Sequence, residues 1–270
     1  MVGVEQVLAR LDLSGCPVGT VLDKRDPDQS VEERFFGGWI NALTAHKRWN
    51  MPSMFRVIKE GEKEVLEHID LSDRCLVTGD SLWRDYTVKA SIRHMLPIST
   101  PNADDLLNTI GHSGIMFRYQ DLRHYYFFCL EGYERLVLYR REDDTWSVLS
   151  TRFMPIDRGR YYNLKVQVFG NRIKCYLDGE KIFEVVDGIF QTGKAGIRTN
   201  TLCRISGVSI TMTEQQRRIF EEERKNYDAA LENLRAKYPK PELFKVINLG
   251  KLKPKCCQSF RVNINKRRFP

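Results

Sequence analysis

Residues 114–141 read GIMFRYQDLRHYYFFCLEGYERLVLYRR, three short apolar runs separated by turn-forming stretches that carry Asp and Gly. Runs of this length, rich in Tyr, Phe, Leu and Val and bounded by turn residues, predict three consecutive antiparallel strands. Read as one continuous alternation, Ile115, Phe117, Tyr125 and Phe127 point to one side and Met116, Arg118, Tyr126 and Phe128 to the other. Much of the aromatic and basic crowding is then two sheet faces superimposed in a line. The functional question narrows to whether Arg118, Tyr126 and Arg140, side by side on adjacent strands, face a groove.

The same period extends outward from this stretch. In DYTVKASIRHM, Val88, Ala90 and Ile92 oppose Thr87, Lys89, Ser91 and Arg93; in YYNLKVQVFG, Leu164, Val166 and Val168 oppose Asn163, Lys165 and Gln167. NRIKCYLDGEKIFEV follows with Ile173, Cys175 and Leu177, and its Asp178-Gly179 pair is a hairpin signal, since a tight two-residue turn needs φ > 0. Eight to twelve strands without intervening helices predict an all-β antiparallel jelly-roll sandwich over residues 55–212. Phe55, Val57 and the apolar positions of EVLEHIDL supply its opening strands. Residues 1–54 form an N-terminal extension packing on the sandwich, and residues 96–111, with two prolines and an acidic pair, a long surface loop.

After Met212 the period changes. Thr213 and Gln216 make a capping-box pattern, and Phe220, Tyr227, Leu231 and Leu234 recur at helical spacing until Pro239, which predicts a linker helix over 213–238 whose stripe packs on the sandwich or on a neighbouring domain. Residues 239–270 read as a basic tail, the start of a truncated following domain.

The ordered set LWRDYTVKASIR, GIMFRYQDLRHYYFFCL, RLVLYRR, DRGRYYNLKVQVFGNRIKCYLDGEKIFEV and GKAGIRTNTLCRISGVSIT resembles the concanavalin-like, laminin-G-like jelly rolls of carbohydrate-active proteins, nearest to the group described as 3-keto-disaccharide hydrolase or family-16-like domains. The resemblance covers residues 65–212. PKPELFKVINLGK looks like the lead-in to the propeller of rhamnogalacturonan-lyase-like proteins, and the chain departs from that pattern at Lys253. These resemblances imply a jelly roll, a polysaccharide or oligosaccharide partner, and a place in polysaccharide degradation. No cofactor is expected; calcium is the one ion this fold class admits, at Asp178 or Asp121, and neither stands in a clustered set of oxygen ligands.

Charge supports the same direction. The formal net charge is +8, but residues 251–270 hold seven Lys or Arg and no acid, so without them +1 remains. With only Phe260 and Phe269 as aromatic platforms in that tail, a nucleic-acid partner is disfavoured. No run of about 18 apolar residues appears, so no membrane partner is expected. The N-terminus lacks a basic region followed by an apolar block, which favours a cytoplasmic location. Seven cysteines, none in CxxC or Cys/His ligand spacing, predict small buried hydrophobes in a reducing compartment and no metal site.

Catalytic patterns are missing from the sequence. There is no Glu-x-Asp-x-x-Glu strand of paired carboxylates, no nucleophile elbow and no phosphate-cradling glycine loop, so no catalytic residue is assigned. Sugar binding needs an aromatic ring against a pyranose face and polar side chains reaching its hydroxyls. Arg118, Tyr126, Arg140 and Arg198, polar or amphipathic residues within apolar strands, and Trp146 and Trp83 as platforms at strand ends, are the candidates for a carbohydrate-binding module. The alternatives are the N-terminal portion of a polysaccharide lyase or hydrolase, and a protein-interaction module without sugar ligand.

Overall fold

The computed structural model describes residues 5–19, 38–42, 54–69, 71–95 and 111–238. Residues 96–110 of the loop expected over 96–111, the tail from 239 onward and the Cys256-Cys257 pair lie outside the described residues. Two units are delimited, residues 1–225 and 226–270. In the second, the described residues are the C-terminal half of a helix and Tyr238.

Fifteen strands are described, in two antiparallel sheets. One sheet runs β13 (Glu180–Val186), β12 (Arg172–Leu177), β11 (Tyr162–Phe169), β6 (Tyr86–His94), β15 (Cys203–Thr213), β4 (Lys63–His68) and β3 (Phe55–Glu60), with β1 (Glu5–Arg10) also paired to β15. The other runs β10 (Thr145–Phe153), β9 (Arg135–Glu142), β8 (His124–Glu131), β7 (His112–Asp121), β14 (Lys194–Thr199), β5 (Arg74–Thr78) and β2 (Ile40–Asn41). The all-β sandwich expected from the alternation is therefore the fold. Thirteen strands lie between Phe55 and Thr213, more than the eight to twelve expected. One strand hidden from the sequence reading is β10, an edge strand whose mostly exposed residues show no apolar alternation.

The core lies between the sheets. Val88, Ala90 and Ile92, Leu164, Val166 and Val168, and Ile173, Cys175 and Leu177 are all buried there, as their alternation predicts. They meet Ile115, Phe117, Tyr126 and Phe128 of β7 and β8. Each fully buried aromatic or aliphatic side chain contributes about 1.5–3 kcal/mol through removal from water.

Those last four residues correct the sequence reading. The turn between β7 and β8 is a two-residue loop, Leu122-Arg123, closed by the pair Asp121↔His124, so odd-numbered residues of β7 sit opposite even-numbered residues of β8. Ile115 pairs Phe128 and Phe117 pairs Tyr126, which places Tyr126 and Phe128, not Tyr125 and Phe127, on the core side. A bulge between Phe117 and Asp121, where Arg118 takes φ 47°, shifts the register by two residues and leaves that parity intact.

The two sheets differ in what their outer faces carry. Strands β6, β11 and β12 alternate buried with more exposed positions. In the seven-stranded sheet the outer face is also buried: Cys75, Val77, Met116, Tyr119, Tyr125, Phe127, Cys129 and Val137 form a second apolar cluster. A strand covered on both faces loses its alternation and reads as a continuous apolar run, the character of residues 114–130.

Local signals hold where they are self-contained. Asp178 and Gly179 take φ 49° and 90° in the β12–β13 turn, the left-handed pair that such a hairpin needs. Helix α1 (Glu214–Lys237) begins at a reciprocal cap: Gln216 N donates to Thr213 Oγ1 at 3.3 Å and Thr213 N to Gln216 Oε1 at 2.9 Å. Of its apolar stripe, Phe220 packs edge-on against Trp83, whereas Tyr227 and Leu234 are exposed. The cysteines Cys75, Cys129, Cys175 and Cys203 are buried free thiols, and burial pushes Cys75 and Cys203 up to about 12. No described helix is long and apolar enough to cross a membrane.

Candidate functional site

The six residues expected to contact sugar separate into three places. Arg118 is fully buried, and its guanidinium donates to the backbone carbonyls of Phe190 (3.0 Å), Arg84 (3.3 Å) and Gly170. Its positive φ turns the side chain out of the strand's alternation, and its own N–H donates to the Tyr86 hydroxyl at 2.6 Å. Burial pulls its pKa down, and Asp85 at 3.8 Å is the nearest carboxylate. Arg118 thus ties together the ends of three connections between strands.

Tyr126 and Arg140 are direct partners in the β8–β9 register, so their expected adjacency is present. Asp187 joins them: it accepts from the Tyr126 hydroxyl at 2.5 Å and from Arg140 Nη1 at 2.5 Å. Tyr126 is fully buried, stacked on Phe117, and also accepts the Phe190 N–H. Trp83 is 6% exposed, beneath Phe220 and beside Tyr86. A Cβ on Gly79 would fall 2.0 Å from its ring, so that glycine is what lets the indole sit there. None of these three side chains presents an open aromatic or cationic surface.

Trp146 and Arg198 meet on the outer face of the seven-stranded sheet. Trp146 belongs to edge strand β10 and is 37% exposed; Arg198 belongs to β14, four strand intervals away, and is 4% exposed. On a flat sheet that separation is about 19 Å, yet the Arg198 guanidinium lies 4.7 Å from the Trp146 ring centre. The two side chains lean toward each other over β8, where Arg198 also covers Phe127 at 5.1 Å. That meeting requires the sheet to curl toward this face, making it the concave one. Gly114, directly opposite Arg198 in register, places no side chain in the path across β7.

Around this contact stand residues that the sequence reading missed. The edges of Tyr125 and Tyr139 approach Trp146 at 5.9 and 5.5 Å with interplanar angles of 82°. Arg141, paired with Trp146 across the β9–β10 hairpin, lies 5.2 Å from the indole centre and donates to the Tyr125 hydroxyl at 3.4 Å. Asp73 accepts from Arg198 Nη2 at 2.8 Å, and His112 Nε2 accepts from Nη1. Burial works against the Arg198 charge, but the Tyr125 hydroxyl and the Asp73 carboxylate outweigh it and hold the group protonated. Burial, with the Glu131 carboxylate accepting its proton at 2.5 Å, raises the Tyr139 hydroxyl, which stays neutral. The signal for Arg141 was present: a two-residue Asp143-Asp144 turn sets Glu142 opposite Thr145 and so Arg141 opposite Trp146.

The arrangement is a half-exposed indole framed by two phenol edges, with a mobile-length cation at the rim and an ion-paired, immobilised one beneath. The Arg141 and Arg198 guanidiniums lie 5.2 and 4.7 Å from the indole centre, so what Trp146 leaves exposed is bordered by hydrogen-bond donors. It holds no pair of carboxylates across a gap, and no group of three or more His, Cys, Asp or Glu able to hold a metal occurs among the described residues. Asp178 receives Asn163 N at 2.9 Å and pairs with Arg160, while Asp121 pairs with His124 at 2.9 Å.

No protein-family model matches the chain. A levanase of Bacillus subtilis (strain 168) is 30% identical over 92 residues, which are 33% of this chain and 14% of that enzyme, so the likeness spans a small part of the curated relative. Among solved structures, the carbohydrate-binding module CBM66 from Bacillus subtilis aligns with a TM-score of 0.48 at 21% identity, over 65% of this chain and 96% of that one. Domain 4 of AbnA, a GH43 extracellular arabinanase from Geobacillus stearothermophilus in complex with arabinotriose, aligns with a TM-score of 0.42 at 13% identity, over 59% and 75% respectively.

Proposed function

We propose that the chain is a carbohydrate-binding module that takes a neutral oligosaccharide on the concave face of its seven-stranded sheet. The observation that carries this reading is the Trp146 platform, 37% exposed in a fold whose other described tryptophans, Trp39 and Trp83, are buried. An indole left open to water costs free energy unless something uses it, and a sugar ring presents the apolar C–H face that would cover it. Tyr139 and Arg141 stand at its border to address hydroxyl groups. Asp73 neutralises Arg198, so the floor of the site carries no uncompensated charge that would demand an anionic sugar.

Levan and its oligosaccharides are the first ligands to test, because the matched relative is a levanase; arabino-oligosaccharides are the second. Calorimetric titration should give dissociation constants in the micromolar to millimolar range. Trp146→Ala should weaken binding by about tenfold, the loss of one aromatic contact of about 1.4 kcal/mol. Flat titrations with every neutral glycan class, or binding that survives Trp146→Ala unchanged, would refute the reading.

A further inference from the structure

The outer face of the eight-stranded sheet carries a feature that the concave site does not use. Lys89 of β6 and Lys165 of β11 are direct cross-strand partners. Like charges placed opposite one another destabilise a sheet, and here both ammonium groups share one outer face. Lys89 reaches Glu5 at 3.4 Å; Lys165 has no carboxylate partner among the described residues and lies 3.8 Å from the centre of the Tyr176 ring. Lys174 stands opposite Gln167 on the next strand pair. Two clefts run along these strands, one of about 260 Å³ bordered by Gln167, Lys174 and Arg172, the other of about 320 Å³ bordered by Lys89, Lys165, Ser91 and Asn163. Lys89 pairs with Glu5, and Arg172 and Lys174 share Glu184 with Lys181, which leaves Lys165 without a carboxylate among the described residues.

We propose that this face is a second binding surface, for an extended polysaccharide that carries carboxylates. Its chemistry fits both halves of such a ligand. The unneutralised Lys165 and its neighbour Lys89 would pair with carboxylates, and the band of Ser91, Asn163, Gln167 and Ser209 would address sugar hydroxyls. Against a nucleic acid, Tyr176 is covered by Lys165, and Phe169, exposed beside Arg172 at the end of the face, is the one aromatic platform left open among the described residues bordering the two clefts. Glu5 and the Tyr176 ring hold the two ammonium groups in the unliganded chain, and a polyanion would relieve the repulsion that remains between them.

The test titrates the full chain with polygalacturonate oligomers, with levan oligosaccharides and single-stranded DNA as comparisons. Polygalacturonate should bind at low salt and weaken as salt rises. The Lys89→Gln/Lys165→Gln double variant should bind it about tenfold more weakly while keeping the parent circular dichroism, and Trp146→Ala should leave its affinity unchanged. If the double variant does not fold, Lys165→Gln alone carries the same expectation at smaller amplitude. Polygalacturonate affinity indifferent to these lysines would assign any binding to the seven cations of residues 251–270 and overturn the proposal. So would failure to bind at low salt, or DNA binding of equal strength lost in the same variant. Loss of levan binding alone would leave this face untouched and strike only the concave site.

Discussion

Arg118 illustrates how far a residue's role depends on the faces its strand presents. Its guanidinium donates to three carbonyls in connections between strands, and the bond to Phe190 is buried. Removing it leaves the Phe190 carbonyl unpaired, at about 1–3 kcal/mol before relaxation, and empties the space of a fully buried side chain. Arg118→Ala should therefore lower stability by about 3 kcal/mol or more in urea unfolding, while glycan affinity of the remaining folded protein stays at the parent value; a selective loss of affinity at full stability would return Arg118 to the binding site. His94 makes a second residue-scale case. It is buried, 2.5 Å from Ser113 Oγ, and burial lowers its pKa to about 4 from an ordinary 6.5. The unfolded chain therefore binds a proton at a higher pH than the folded one, so stability contributed by neutral His94 is complete above pH 6.5 and is lost progressively as pH falls to about 4. The span corresponds to about 3 kcal/mol. Chemical denaturation across that window should show the decline, and a His94 resonance titrating near 6.5 in the folded protein would contradict it.

At the scale of elements, signals that close locally were legible and those that depend on a second face were not. The Asp178-Gly179 hairpin and the Thr213/Gln216 cap each need only a few neighbouring residues, and both form as read. Thr213→Ala should cost about 1 kcal/mol through loss of the cap, measured as a lowered unfolding midpoint with unchanged m-value. The β7–β8 pair was read with the wrong parity because the alternation was carried through a two-residue turn that pairs odd with even positions. Glycine positions in β14 were invisible for a different reason. Gly196 lies between β5 and β7, and a Cβ there would stand 1.9 Å from the Leu76 carbonyl oxygen. Gly196→Ala should force the strands apart and cost about 2 kcal/mol or more; a neutral outcome would show that this sheet yields more readily than its packing implies.

At the scale of the whole molecule, the fold class followed from clean alternation in β6, β11 and β12, strands buried on one face only. The candidate site did not follow as readily. Arg118 and Tyr126 were chosen for being polar or amphipathic in apolar strands and Trp83 as a platform at a strand end; all three are buried, and in a doubly covered sheet the first pattern marks internal hydrogen bonding. Trp146 and Arg198 lie 52 positions apart and meet because a curved sheet brings β10 toward β14, a relation that no local pattern encodes. Two sheets with unlike outer faces follow from the same architecture: one aromatic and charge-compensated, the other hydroxyl-rich and basic. The most direct test of the concave-face account is a titration with levan oligosaccharides followed by NMR. The account predicts that the Trp146 indole resonance and the backbone amides of Tyr139 and Arg141 shift saturably, while those of Lys89 and Lys165 stay in place. Saturable shifts confined to β6 and β11, with Trp146 unmoved, would contradict it.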